Sequence, residues 1–207
     1  MTKRSKSSGR WLERQRKDPY VKKAHQEGLG SRAHFKLEQL DKRFSLIKAG
    51  VTVLDLGAAP GGWSRYAAKK GAKVIAVDIQ DMAVPAGVTF FREDMHSDAF
   101  VARIDETLKG GGVDLVLSDA APHISGIRTK DQAESMGLVD LATDAAARWL
   151  NSGGALVVKM FQGAGVDEWV RQRRTSFTRV VLAKPDASRS GSREVFGVAL
   201  GYAPHKS

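Results

Sequence analysis

Apolar residues cluster in short runs along this chain, with few polar positions inside them and glycine, proline or charge around them. The runs fall at 51–56, 73–78, 88–91, 113–118, 154–160, 178–183 and 194–200. They have strand length, and apolar residues at successive positions predict strands covered on both faces. Between them, apolar residues recur every three or four positions, which predicts helices at about 62–70, 98–108, 131–150 and 167–174. An earlier helix is predicted from about Ser31 to Phe44, where Ala33, Leu37, Leu40 and Phe44 form an apolar stripe. Strands alternating with helices imply an α/β fold, a doubly wound and mostly parallel seven-stranded sheet with helices on both faces. The last two runs follow each other without a long helix, predicting an antiparallel strand pair at the sheet edge. At 207 residues, with no internal repeat and no dividing linker, one domain is expected. Residues 1–10 offer almost nothing to bury and read as disordered.

One run breaks in an informative way. In Val53-Leu-Asp-Leu-Gly-Ala-Ala-Pro-Gly-Gly-Trp-Ser64 a strand ends at Gly57, a glycine loop follows, and a helix restarts near Gly62. Such a turn lets a ligand approach bare backbone at a helix N-terminus. Asp78 closes Val74-Ile-Ala-Val-Asp78 about 20 residues past the loop, the spacing at which a carboxylate grips a ribose diol. Asp94, after the third run, is placed to accept from an adenine amino group, although a loop or helix-start aspartate accounts for its position equally well. The loop lacks the G-x-G-x-x-G of a dinucleotide site, and Pro60 removes an N–H where a pyrophosphate needs several. S-adenosylmethionine is therefore the favoured cofactor, and a nicotinamide-dependent oxidoreductase is disfavoured. An ordinary turn would leave Gly61 and Gly62 unexplained, because glycine at a helix start costs stability.

Composition narrows the chemistry. There is no cysteine, which excludes disulfides, thiolate metal sites and cysteine nucleophiles. His25, His34, His96, His123 and His205 show no metal-ligand spacing, so no metal is expected. No apolar run approaches the roughly 20 residues needed to cross a bilayer. The polar N-terminus lacks the apolar core of a secretory signal, and a cytoplasmic protein is expected. The net charge of +10 is unevenly spread. Residues 1–50 hold 14 Lys/Arg against 5 Asp/Glu, residues 51–170 hold 11 against 16, and residues 171–207 hold 8 against 2. Basic ends folded onto one face would suit a polyanionic substrate, while solubility is the plainer reading of such ends. Trp11, Tyr20, His34 and Phe35 lie among the basic residues and could stack on unpaired bases or simply pack.

The remaining chemical residues fall at strand ends, where such a sheet places ligands. Asp119 ends Val113-Asp-Leu-Val-Leu-Ser-Asp119 and faces the expected crevice. Lys159 lies in Gly154-Ala-Leu-Val-Val-Lys-Met-Phe161 directly after a buried strand. Lysine is rarely buried, so it needs a reason there, a snorkelling side chain being the plain one. Lys36 sits at the margin of its helix stripe and Glu194 opens the last strand; singly, neither says much.

Together, Lys36, Asp119, Lys159 and Glu194 match, in order and context, the Lys-Asp-Lys-Glu tetrad of RNA ribose 2′-O-methyltransferases. The chain resembles the FtsJ/RrmJ family in particular, through Ser31-Arg-Ala-His-Phe-Lys-Leu37, Asp55-Leu-Gly-Ala-Ala-Pro-Gly-Gly-Trp-Ser64, Ser118-Asp-Ala-Ala-Pro122, Val158-Lys-Met-Phe-Gln-Gly163 and Lys184-Pro-Asp-Ala-Ser-Arg-Ser-Gly-Ser-Arg-Glu-Val195. The resemblance implies a Rossmann-like methyltransferase fold. The implied activity is methylation of a uridine 2′-hydroxyl in large-subunit ribosomal RNA, on the assembled or assembling subunit, with S-adenosylhomocysteine as product. It implies cofactor contacts at Gly57, Gly61, Gly62, Trp63, Asp78, Asp94 and Asp119, and Lys159 as the central catalytic residue with Lys36, Asp119 and Glu194. It also implies a basic extension over residues 1–30 ahead of one methyltransferase domain over 31–207, acting as a monomer. The chain departs from bacterial members at His123, which follows the proline where they carry asparagine.

The chemistry can be reasoned without the family. A ribose hydroxyl is a poor nucleophile, so the protein must align it and give its proton a destination. Alignment can contribute roughly 7–11 kcal/mol, and a positioned base about 10²–10⁴-fold. Lys159 suits either a neutral base or a charged group that orients the hydroxyl and stabilises developing negative charge. An RNA-binding protein with a vestigial cofactor fold would explain the charge but not the intact tetrad. A cap or transfer-RNA methyltransferase could share the tetrad, but no cap-binding module is appended. A small-molecule or protein methyltransferase would not need the basic flanks.

Overall fold

The apolar runs supply one sheet of seven strands. The computed structural model describes residues 19–26, 32–189 and 191–204. In chain order the elements are α1 (Pro19–Gln26), α2 (Ala33–Phe44), β1 (Thr52–Leu56), α3 (Gly62–Lys69), β2 (Lys73–Asp78), β3 (Val88–Arg92), α4 (Asp98–Leu108), β4 (Val113–Ser118), α5 (Arg128–Trp149), β5 (Leu150–Phe161), α6 (Val166–Arg173), β6 (Phe177–Ala183) and β7 (Glu194–Tyr202). The sheet order is β3-β2-β1-β4-β5-β7-β6. The first five strands pair in parallel, and β7 runs antiparallel to both β5 and β6. The antiparallel pair thus stands at the edge; its reversed member, β7, lies inboard of β6. From β1 the chain steps outward to β3 and then returns to β4 on the other side. The crevice of such a sheet opens at this reversal, beyond the ends of β1 and β4.

Burial on both faces explains the apolar runs. Val53, Val74, Leu115, Val157 and Phe196 pack beneath Leu37 and Leu40 of α2 and Trp63 and Ala67 of α3. Their neighbours in sequence, Leu54, Ile75, Val116, Leu156 and Val195, join Ile104 of α4, Ala146 of α5 and Trp169 of α6 on the opposite face. Each fully buried aliphatic side chain contributes about 1.5–3 kcal/mol. Asp41 ties α2 to α3: it accepts from the Ile47 N–H and the Tyr66 hydroxyl, each at 2.8 Å, and pairs with Lys70 at 3.3 Å.

Three boundaries differ from the pattern. α5 starts at Arg128 because Asp131 gathers the Ser125 N–H and hydroxyl and the Gly126 N–H, which organises the turn before the helix. β5 starts at Leu150, at the end of the predicted helix and four residues before the predicted strand. Leu150 is buried and Asn151 donates to Asp114 at 3.0 Å, which keeps this segment on the sheet. Helix α1 was not signalled by an apolar stripe, although Pro19 is a common first helical residue. Its Ala24 packs in a small cluster with Phe35 and Ala187. The disorder expected for residues 1–10 and the stacking considered for Trp11 lie outside the described residues.

Candidate functional site

The loops after β1 and β4 touch. Gly57 has φ +70°, and a Cβ on it would stand 2.7 Å from Cα and Cβ of Ala120. Only glycine allows that backbone conformation and that approach together. Beside this contact opens a cavity of about 360 Å³ lined by Gly57, Ala59, Asp78, Asp94 and Asp119, among others. The Asp78 carboxylate accepts from the Ala59 N–H at 2.9 Å and the Gln80 N–H at 2.8 Å, pinning the glycine loop to the end of β2. Asp94 accepts from the His96 N–H at 2.9 Å and meets its Nδ1 at 2.8 Å. Those bonds hold the Asp94 carboxyl below its ordinary range. Ile79, 62% exposed, gives the cavity an apolar face.

Asp55 lies in β1, two residues before Gly57, and is buried. Ser64 donates to its Oδ2 at 2.5 Å, while Oδ1 has no partner. Burial pushes its carboxyl up to about 7; Ser64 opposes the shift, and the nearby Asp119 and Asp78 charges add to it. Asp55 stands behind the cavity, where it ties β1 to Ser64 of α3; the carboxylates at the cavity itself are Asp78, Asp94 and Asp119. The cavity therefore fits S-adenosylmethionine, with carboxylates for a diol and a cation, bare backbone at Gly57 and an apolar flank for a base.

A second arrangement adjoins it. Period-two alternation puts Lys159 on the same sheet face as Val157, opposite Phe196 in the register, and so beneath α2. There Lys36 comes down from the helix, its Nζ 5.7 Å from the centre of the Phe196 ring. Both lysines are only 9% exposed. Ammonium groups at that depth are kept by partners, and the partners are at hand. Lys159 Nζ lies 3.1 Å from Asp119 Oδ1 and donates to the Asp119 carbonyl. Lys36 Nζ lies 3.9 Å from the same Oδ1 and donates to Glu194 Oε2 at 2.8 Å. The contacts to Asp119 Oδ1 are ion pairs without aligned hydrogen-bond geometry. The line Lys159–Asp119–Lys36–Glu194 alternates in charge. Burial disfavours ionised Glu194, but Lys36, the Ser188 hydroxyl and Lys159 outweigh it and hold the carboxyl below its usual range. A smaller depression of about 210 Å³ is lined by Arg32, Lys36, Arg189, Ser192 and Glu194. Asp119 thus borders the first cavity and Glu194 the second, with the lysines between them.

The family model for FtsJ-like methyltransferases matches residues 29–202. The chain belongs to the FtsJ-like methyltransferase family. A protein of Stutzerimonas stutzeri named ribosomal RNA large subunit methyltransferase E is 48% identical over 204 residues, covering 97% of this chain and 98% of its own. A protein of Marinobacter nauticus with the same name is 49% identical over 203 residues, covering 96% and 98%. The crystal structure of a Plasmodium falciparum protein described as a ribosomal RNA methyltransferase has a TM-score of 0.77 at 26% identity, covering 85% of this chain and 100% of that one.

This FtsJ-like methyltransferase brings the expected residues into two groups and leaves some apart. Gly57, Asp78, Asp94 and Asp119 meet at the cavity, and Lys36, Asp119, Lys159 and Glu194 form the charged line. Gly61, Gly62 and Trp63 do not line the cavity. Gly61 precedes α3 with φ +94° and faces Met82 and Pro85. Gly62 opens the helix and is buried. Trp63 is 2% exposed, donates to the Ala33 carbonyl at 2.8 Å and lies 5.7 Å from the Phe196 ring, so it locks α2, α3 and β7 together. Tyr20 and His34 pack on Phe35 at 5.6 and 5.5 Å between ring centres, which makes these rings packing elements. His123 is exposed and away from the cavity lining.

Asp55, His96, Gln80 and Ser188 escaped the sequence reading. Asp55 carried the available signal, an aspartate in the middle of an apolar strand directly before the glycine loop. Among the described residues no helix is long and apolar enough to cross a membrane. No group of three or more His, Asp or Glu there could hold a metal ion.

Proposed function

We propose that this enzyme methylates the 2′-hydroxyl of a uridine ribose in large-subunit ribosomal RNA. The observation that carries the reading is Asp119, which borders the cofactor cavity and contacts both buried lysines. Gly57, Asp78, Asp94 and Asp119 would hold S-adenosylmethionine, which would supply an activated methyl group. The protein's task is then to orient a hydroxyl and dispose of its proton. An ammonium has three donors, and Asp119 engages at most two of Lys159's. The remaining donor can hold the 2′-oxygen and stabilise charge that develops on it. With Lys159 charged, the proton released from the hydroxyl goes to the Asp119 carboxylate, the one basic member of the Lys159–Asp119 pair, and from there to solvent. Lys36 and Glu194 fix that pair from the other side, and the depression between Arg32 and Arg189 receives the phosphate-bearing nucleotide. The relatives' shared name, at nearly full coverage, supports ribosomal RNA of the large subunit as the substrate. The basic ends of the chain support a polyanion bound in a salt-dependent manner.

The test is tritium transfer from labelled S-adenosylmethionine to large-subunit particles and to free ribosomal RNA from cells lacking this protein, followed by mapping. Label at one ribose, lost when that ribose is 2′-deoxy, is the expected result. Label on transfer RNA alone would overturn the substrate, and label on a base would overturn the ribose assignment.

A further inference from the structure

Glu194 is held by a loop that is itself held from two helices. The Ser188 hydroxyl donates to Glu194 Oε1 at 2.7 Å, leaving Oε2 to Lys36. Ser188 is 6% exposed, and the peptide before it is fixed at both ends. The Ala187 N–H donates to Gln39 Oε1 at 3.0 Å, and the Ala187 carbonyl accepts from the Arg32 guanidinium through Nε at 3.1 Å and also through Nη2. Gln39 is on α2 one turn beyond Lys36, so a single helix aims both the cation and the clamp that seats the carboxylate's other partner. The free end of Gln39 continues the line: its Nε2 donates to the Tyr20 hydroxyl of α1 at 3.2 Å. Ala187 is fully buried against Ala24 of α1 and Phe35 of α2. A continuous chain of contacts thus leads from α1 to Glu194.

We propose that Ser188 and Gln39 are positioning residues for Glu194, and that through Tyr20 the seating of α1 governs how that carboxylate is held. The inference rests on Glu194 being part of the catalytic group proposed above. Helix α1 lies on the strongly basic N-terminal side of the chain, so RNA gripped by that region would be felt at the tetrad through this line. The groups facing Glu194 are Lys36 from α2, Lys159 from β5, Ser188 from the loop, and Arg32 and Arg189, which share its depression. Only the Ser188 bond can be removed without changing a charge.

The experiment titrates Glu194 directly, in protein carrying carboxyl-¹³C glutamate, with the resonance assigned by its loss in Glu194→Gln. Ser188→Ala is expected to raise the midpoint by about one pH unit, the worth of one hydrogen bond to a charged group. Ser188→Thr, which keeps the hydroxyl, is expected to restore it. Gln39→Ala and Tyr20→Phe are expected to give smaller rises in the same direction. Because the Glu194 carboxyl is held below its usual range, single-turnover methyl transfer by Ser188→Ala is expected to match wild type near neutral pH and to fall, by up to about tenfold, only in the acid limb, which moves upward, with the cofactor KM unchanged. An unmoved midpoint in Ser188→Ala overturns the proposal, whatever happens to the rate. An unmoved midpoint in Tyr20→Phe overturns the link to α1. Should the midpoints move while wild-type protein methylates no RNA, the positioning stands and the proposed function falls.

Discussion

The cofactor side and the acceptor side of this site are built by different means. The cofactor side uses backbone: the Gly57 turn, and the Ala59 and Gln80 amides gathered by Asp78. Most of its parts, Gly57, Ala59, Asp78 and Asp94, follow one another from the end of β1 to the loop after β3, and Asp119 and Ala120 join them from the loop after β4. The acceptor side uses side chains from four distant segments, Lys36, Asp119, Lys159 and Glu194, joined only by the finished sheet. A backbone-made cradle is fixed once its strands pair. A line of buried charges depends on every member, because each ion is kept by its neighbours. Damage on the first side should therefore appear as weakened cofactor affinity. On the second it should appear as lost turnover.

The sharpest way to break this contrast is Lys159→Ala. Removing the amine takes away the group that orients the hydroxyl, and single-turnover rate is expected to fall at least roughly a hundredfold. Cofactor affinity, measured by calorimetry, is expected to stay within about twofold, since Asp78 and Asp94 lie on the other wall. A near-normal rate, or an affinity that falls with the rate, would mean that the two sides are not separable.

Asp78→Ala tests the opposite side with a somewhat smaller effect. The variant frees the Ala59 and Gln80 amides and removes the carboxylate placed for the ribose diol. Hydrogen bonds to a charged group are worth about 1.5–3 kcal/mol, so the cofactor Kd is expected to rise roughly 10- to 100-fold. At saturating cofactor the single-turnover rate should recover most of its wild-type value. A rate that stays low at saturation would give Asp78 a part in the chemistry.

The same contrast explains what could be read from the sequence. The cofactor side was legible because most of its parts are contiguous: a glycine loop after an apolar run, then an aspartate at the next strand end. Strands 73–78 and 113–118 were legible to the residue, since burial on both faces keeps them apolar apart from their ends and Asp114. Lys36 and Glu194 were not legible from pattern alone. Nothing near Lys36 in sequence announces a carboxylate 158 residues away, and only the order of motifs shared with a family joined them. The Trp63 ring was not legible for a related reason. Its place in the motif suggested a ligand contact, but the start of α3 turns the ring toward α2 and Phe196. Ser188 carries no local signal at all, because its role exists only once Ala187 is clamped between Arg32 and Gln39.

Asp55 is the exception on the cofactor side, a buried side chain among backbone donors, and it yields the smallest effect. Its carboxyl titrates near 3.8 in an unfolded chain and is pushed up to about 7 in the fold, mainly by burial. Between those values the folded protein holds the extra proton, so stability falls as pH rises through the window and levels off above it. For one group with these constants, the loss between pH 6 and pH 8 is on the order of 1 kcal/mol. Asp55→Asn keeps an oxygen for the Ser64 hydroxyl but cannot titrate, and any cost of its extra N–H is independent of pH. Denaturant unfolding of the cofactor-free protein at pH 6 and pH 8 should therefore give wild type a loss greater than that of Asp55→Asn by on the order of 1 kcal/mol. Equal losses would mean that Asp55 is already ionised at pH 6, and that the Ser64 hydroxyl outweighs burial in setting its charge.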